Sequence, residues 1–182
     1  PLMAKLSGEG YQCLAPDQRG YSPGARPDGA DLYHYNHLSD DIIGFADALG
    51  YEKFHLIGHD HGSGVGWMVT NNHPDRVHSW TAMSVPHIAA FGRAIREDAD
   101  QTQRSQYIIL FQTVGEAEKA LSTDNLAPLK GIWEKSSAEQ IKEYVRVFSQ
   151  PGALTGGLNW YRGSLSMEKG VEDATYAVGE IA

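Results

Sequence analysis

Apolar positions along the chain alternate between helical stripes and short continuous runs. Leu2, Met3 and Leu6 have helical spacing, and Gly8 and Gly10 end that helix. Residues 11–16, YQCLAP, read as a buried strand of mixed type, followed by a loop of turn formers over residues 17–24. In residues 31–50, Leu38, Ile42, Ala46 and Leu49 fall on one helical face, and Gly50 stops the helix. Phe54, Leu56 and Ile57 fit a buried strand of a parallel sheet. Val65, Trp67, Met68 and Val69 lie on a second helix that ends near His73-Pro74. Residues 77–85 form the next strand, and Pro86 breaks it. This alternation predicts an α/β fold with a doubly wound, mostly parallel sheet.

After Pro86 the pattern changes. No strand period is convincing between residues 88 and 169, while residues 90–96, 105–111, 115–121 and 138–148 have helical spacing with Gly and Pro between them. Residues 170–182 lead back toward the sheet.

Bulk properties narrow the function classes. The 182 residues suit one domain or one domain with an insertion. Fifteen basic against 23 acidic residues give a net charge of −8, which argues against nucleic acid or an anionic membrane as partner. The single cysteine, Cys13, excludes an internal disulfide framework and suits a cytoplasmic protein. No run approaches the ~18 apolar residues of a membrane span, and no signal peptide is visible. The chain starts at Pro1, inside a helical pattern, as a fragment would.

The candidate chemistry centres on residues 53–67, KFHLIGHDHGSGVGW. Gly58-His59-Asp60-His61-Gly62 has the form small-x-nucleophile-x-small directly after an apolar run. A residue on such a sharp strand-to-helix turn is backbone-strained, so its neighbours two positions away must be nearly free of side chain. Asp60 then sits at the carboxyl end of a strand, where ligands bind in open α/β sheets, and at the positive end of the next helix. A plain helix N-cap is the bland alternative. His59, Asp60 and His61 alternate sides on an extended segment, so they do not converge on one ion, and no metal is expected. Gly62-Ser63-Gly64-Val65-Gly66 is one residue short of a dinucleotide fingerprint and lacks the acidic ribose partner, so no cofactor is expected. The small residues there let the helix pack closely on the sheet.

GHDHGSGVGW resembles the nucleophile region of the α/β-hydrolase superfamily, and within it the branch with an Asp nucleophile, the epoxide hydrolases and haloalkane dehalogenases. Asp17-Gln18-Arg19-Gly20-Tyr21-Ser22 matches a loop segment of that superfamily, and Asp17 and Arg19 read as a structural ion pair that fixes it. Residues 105–112 with Gly115-Glu116-Ala117-Glu118 resemble the first cap-tyrosine segment of epoxide hydrolases. Asn159-Trp160-Tyr161-Arg162 resembles the second.

The resemblance implies an incomplete α/β-hydrolase core over residues 1–87, a helical cap over 88–169 and a return segment over 170–182. It implies Asp60 as nucleophile, the His61 backbone N–H as an oxyanion donor, and Tyr107 and Tyr161 as phenols on the epoxide oxygen. The reaction would open a small apolar epoxide to a diol, with water as the second substrate and an alkyl ester on Asp60 between the two steps. An upstream oxyanion loop and a downstream acid and histidine base are expected outside the chain. Family members usually carry Trp after the nucleophile, where this chain has His61, and that departure counts against the dehalogenase alternative. A haloalkane or haloacid dehalogenase, or a non-catalytic remnant that binds an apolar ligand, are the other readings.

Overall fold

The computed structural model describes residues 2–164, so the expected return segment over 170–182 lies outside the described residues. Its sheet has two parallel strands, β1 (Phe54–His59) and β2 (Val77–Met83), with His55 opposite Ser79 and His59 opposite Met83. Helix α3 (His61–Asn72) crosses between them. Helix α1 (Leu2–Gly8) precedes them, and α2 (Tyr35–Ala48) packs on α3. This is the strand–helix–strand unit that the pattern predicts. One face of the sheet is open, however: Phe54 and Leu56 pack toward the core, while His55, Ile57 and His59 are exposed.

Residues 11–16 do not form the expected strand. Gln12, Leu14, Ala15 and Pro16 line a groove of about 370 Å³ together with β1. A ladder requires neighbouring strands about 4.8 Å apart. Here the Tyr11 ring meets that of His55 on β1 at 5.8 Å, but the backbones form no ladder. The expected helix over residues 31–50 divides into a 3₁₀ turn (Ala30–Tyr33) and α2, because the extended His34 caps α2 with its ring, accepting from the Asn36 N–H at 3.3 Å.

The regular elements described beyond Pro86 are all helices: α4 (Ile88–Glu97), α5 (Ala99–Arg104), α6 (Tyr107–Gln112), α7 (Glu116–Ile132), α8 (Ala138–Phe148) and α9 (Ala153–Ser164). Periodicity alone missed α5 and α9, both short and rich in polar or small residues. Helix α7 breaks at Thr123–Leu126, where three successive residues have positive φ. Pro128 accounts for the break, since a proline ring clashes with the carbonyl four residues earlier, here that of Asp124. Ser137 and Gln140 cap α8 reciprocally.

Two apolar clusters hold these elements together. One joins Tyr33, Leu38, Val65, Met68, Val69 and Trp160 across α2, α3 and α9. The other joins Ala117, Leu121, Leu129 and Leu158 within the later helices. Trp160 belongs to the first cluster although its helix closes the described chain, and α9 packs back against the 3₁₀ turn of Ala30–Tyr33. Among the described residues no helix is long and apolar enough to cross a membrane.

Candidate active site

Strand β1 delivers Asp60 to a sharp turn with φ 55° and ψ −125°, a left-handed conformation that costs a non-glycine residue about 1–3 kcal/mol. The turn survives because its surroundings over-determine it. The Asp60 N–H lies 3.3 Å from the Met83 carbonyl and 3.2 Å from the Ser84 hydroxyl, both acceptors at the end of β2. The Asp60 carbonyl accepts from the N–H groups of Ser63 and Gly64. Ser63, fully buried, accepts from the Met83 N–H at 3.1 Å and directs its one proton between the carbonyls of Gly58 (2.8 Å) and Met83 (2.7 Å). One hydroxyl therefore ties β1, β2 and α3 together behind Asp60. The sequence marked Ser63 only as a small residue, and its role as a staple depends on strand pairing.

The glycine requirement holds on one side of the turn only. A Cβ on Gly58 would strike the Gly62 carbonyl and the Trp80 ring, whereas a Cβ on Gly62 would meet open space. Further along α3, a Cβ on Gly66 would strike Trp80 and one on Gly64 would strike Tyr35. Close packing of the helix is thus the reason for the small residues of this segment, as their spacing suggested.

The Asp60 carboxylate accepts from the His61 backbone N–H at 2.8 Å. Asp60 is both the helix N-cap and a lining residue of a small cavity, of about 30 Å³, with room for about two waters. Asp60, His61, Tyr107 and Tyr161, the four residues singled out from the sequence, all line this one space. Ile88 and Ile108 supply apolar wall, and Tyr35 supplies a third phenol that sequence reasoning missed. Tyr35 starts α2, far from any motif, so no linear signal pointed to it.

The rings form a connected set. Tyr107 and Tyr161 meet edge to face with centroids 6.0 Å apart, and Phe111 packs 4.9 Å from Tyr161 on its other side. His61 lies 4.5 Å from Tyr161 and 5.2 Å from Trp160. Burial raises the pKa of Tyr161 and of Tyr107, and the charge of Asp60 adds to it in both. Both phenols stay protonated at neutral pH and so remain hydrogen-bond donors. Burial lowers the His61 ring to about 4 and outweighs the opposing pull of Asp60, so the imidazole is neutral.

The four residues Asn159 to Arg162 divide their tasks. Trp160 is fully buried and donates from Nε1 to the Arg19 carbonyl at 2.8 Å. Arg162 forks onto Glu118 at 2.8 and 2.9 Å, donates to the Phe111 carbonyl at 3.2 Å and reaches Asn159 at 3.3 Å. Tyr161, between these anchors, is turned to the cavity. Arg19, the anchor of Trp160, is itself held by Asp41 through two bonds of 2.7 and 2.8 Å. This corrects the pairing expected from the sequence: the partner of Arg19 is Asp41 on α2, not Asp17. Among the described residues no group of three or more His, Cys, Asp or Glu side chains comes together as a metal site, His59-Asp60-His61 included.

Comparison with known proteins shows the family of the chain. Residues 1–140 match the family model described as alpha/beta hydrolase fold. An AB hydrolase superfamily protein of Bacillus subtilis is 34% identical over 181 residues, covering 94% of this chain and 63% of that relative. Epoxide hydrolase 2 of Caenorhabditis elegans is 33% identical, covering 84% of this chain and 46% of its own length. The crystal structure of a Bacillus megaterium epoxide hydrolase with an inhibitor superposes with a TM-score of 0.73 at 28% identity, over 80% of this chain and 53% of that one. The chain therefore spans between about half and two thirds of the length of these relatives, and its sequence is epoxide hydrolase-like. With the parallel strand–helix–strand unit in place and more than half its length matched, this chain belongs to the α/β-hydrolase fold family.

Proposed function

We propose that this chain carries the nucleophile and the oxygen-clamping phenols of a hydrolase that opens epoxides to diols. The observation that carries this reading is a single one. Asp60, on its strained turn, shares one small cavity with the protonated phenols of Tyr107 and Tyr161. The helical segment that begins at α4 acts as a cap, supplying both phenols across from the turn.

In the first step an Asp60 carboxylate oxygen attacks a ring carbon of the epoxide. The ring C–O bond breaks and its electron pair goes to the ring oxygen. That oxygen is a poor leaving group unless it is hydrogen-bonded or protonated as the bond breaks, and two neutral phenols serve this need. The product is an alkyl ester on Asp60. In the second step water adds to the ester carbonyl, and the negative charge develops on the carboxyl oxygen next to the His61 N–H. That N–H already lies 2.8 Å from Oδ1, so it is an oxyanion donor in position before the charge forms. The attacking water needs a general base. The His61 ring, held near pKa 4, is too weakly basic for that role, which falls to a residue other than those lining this cavity.

The test is incubation of the protein with a small alkyl or aryl epoxide, followed by intact-mass measurement and diol assay. The expected result is diol, or an added mass equal to that of the epoxide, mapped to Asp60 and absent from Asp60→Asn. A folded protein that yields neither adduct nor diol overturns the reading.

A further inference from the structure

Helix α6, which carries Tyr107, has only six residues, and no side chain caps its start. Of its side chains Ile108 alone is buried, while Ile109 and Leu110 are exposed. A helix this short is not stable by itself, so its neighbours decide where it lies. Three of its side chains meet Tyr161 on α9. The rings of Tyr107 and Phe111, one turn apart on α6, stand 6.0 and 4.9 Å from the Tyr161 ring. The partly buried Gln112 carboxamide donates from Nε2 to the Tyr161 carbonyl at 3.0 Å. Ring contacts of this kind tolerate a range of separations, whereas a hydrogen bond weakens steeply as its distance and angle change. The Gln112 bond therefore fixes the register of α6 against the residue that bears the second phenol. Arg162 also reaches α6, at the Phe111 carbonyl, but it is committed to Glu118 as well, and its loss disturbs more than this register.

We propose that Gln112 is a positioning residue that aims the phenols of Tyr107 and Tyr161 at one point by tying α6 to the Tyr161 backbone. This role deepens the proposed function and rests on it. Two donors can share one ring oxygen only if both O–H groups converge on it as its charge develops. A misplacement of about 1 Å at a reacting centre can cost about 100-fold in rate. Gln112 acts through the two phenols and does not itself line the cavity.

The quantity to measure is the single-turnover rate of adduct formation on Asp60 with 1,2-epoxybutane, followed by intact mass. Gln112→Met keeps the length of the side chain and removes the donor. Gln112→Glu keeps its shape and offers only acceptors at neutral pH. Each is expected to slow the saturated rate roughly tenfold and to leave the half-saturating epoxide concentration within about twofold, because the clamp acts in the transition state. The deciding experiment combines each variant with Tyr107→Phe. In the wild-type background Tyr107→Phe is expected to cost about tenfold. In the Gln112 variants it is expected to cost only about twofold, since a misaimed phenol has less to lose.

A merely structural role for Gln112 would slow both members of each pair by the same factor, and the cost of Tyr107→Phe would stay at its wild-type value. That result overturns the inference and leaves the proposed function standing. Thermal melts establish which variants are folded, and if Gln112→Met is not, Gln112→Glu decides. A wild-type protein that forms neither adduct nor diol overturns both.

Discussion

Arg162 on α9 holds Glu118 on α7 through two parallel bonds of 2.8 and 2.9 Å, with its side chain only 5% exposed. The pair sits one residue from Tyr161 and fixes the turn of helix that presents this phenol. Removing one member leaves the other without its counter-charge. Arg162→Leu is expected to destabilise the fold by about 2–3 kcal/mol, below the largest costs of broken buried pairs because Glu118 is partly exposed. The double variant with Glu118→Leu is expected to recover part of that loss. Urea unfolding of the two variants measures both effects.

The same pair makes stability depend on pH at the acid end. The Arg162 hydrogen bond depresses the Glu118 pKa from 4.5 to about 2. A depressed folded-state pKa means that the stabilisation is present above about pH 4.5 and disappears as pH falls toward 2. Unfolding midpoints measured from pH 6 down to 2 are expected to decline through this window. In Glu118→Gln that part of the slope disappears.

In the proposed reaction the two phenols, Tyr107 and Tyr161, are expected to contribute unequally. Tyr161 is held by Phe111, His61 and the anchors on either side of it, whereas Tyr107 is 47% exposed at the rim. Tyr161→Phe is expected to slow adduct formation at Asp60 about 100-fold and Tyr107→Phe about tenfold, within the usual range for a positioned acid. Because burial raises both phenol pKa values, adduct formation should show no alkaline decline due to these groups up to about pH 10. Single-turnover mass spectrometry across pH 7–10 measures each point.

Gly58 and Gly62 flank Asp60 symmetrically in sequence but not in space. Gly58→Ala forces a methyl against the Gly62 carbonyl and the Trp80 ring, and an overpacked contact of this kind costs about 1–3 kcal/mol. Gly62→Ala meets no neighbour and replaces glycine within a helix, so it is expected to be neutral or stabilising by up to about 1 kcal/mol. Thermal denaturation of the two single variants tests the asymmetry. Equal losses would show that the turn itself, and not the contact with Trp80, demands both glycines.

Ser63→Ala removes the hydroxyl that joins the Gly58 and Met83 carbonyls and the Met83 N–H. The groups left unpaired in a buried position are expected to cost about 1–3 kcal/mol. Chemical denaturation gives this value, and hydrogen exchange at Met83 should report faster local opening at the end of β2.

Local chemistry made much of this molecule legible along the chain. The apolar run from Phe54, the small residues around Asp60 and the Pro86 break are short-range signals, and they gave the strand–turn–helix and the change to an all-helical segment. Asp60 could be singled out by its small-x-nucleophile-x-small spacing, and His61, Tyr107 and Tyr161 because their segments resemble those of epoxide hydrolases. What depended on partners far along the chain was hidden. Residues 11–16 have strand-like composition yet do not pair, because a ladder needs a neighbour at the right distance and no propensity supplies one. Arg19 chose Asp41, 22 residues away, over Asp17 beside it, since the fold brings the α2 carboxylate within bidentate reach. Tyr35, the Arg162–Glu118 pair and the staple at Ser63 likewise exist only once α2, α3, α7 and α9 pack. Identity and spacing along the chain specified which groups could do chemistry, and tertiary packing decided which of them line one cavity.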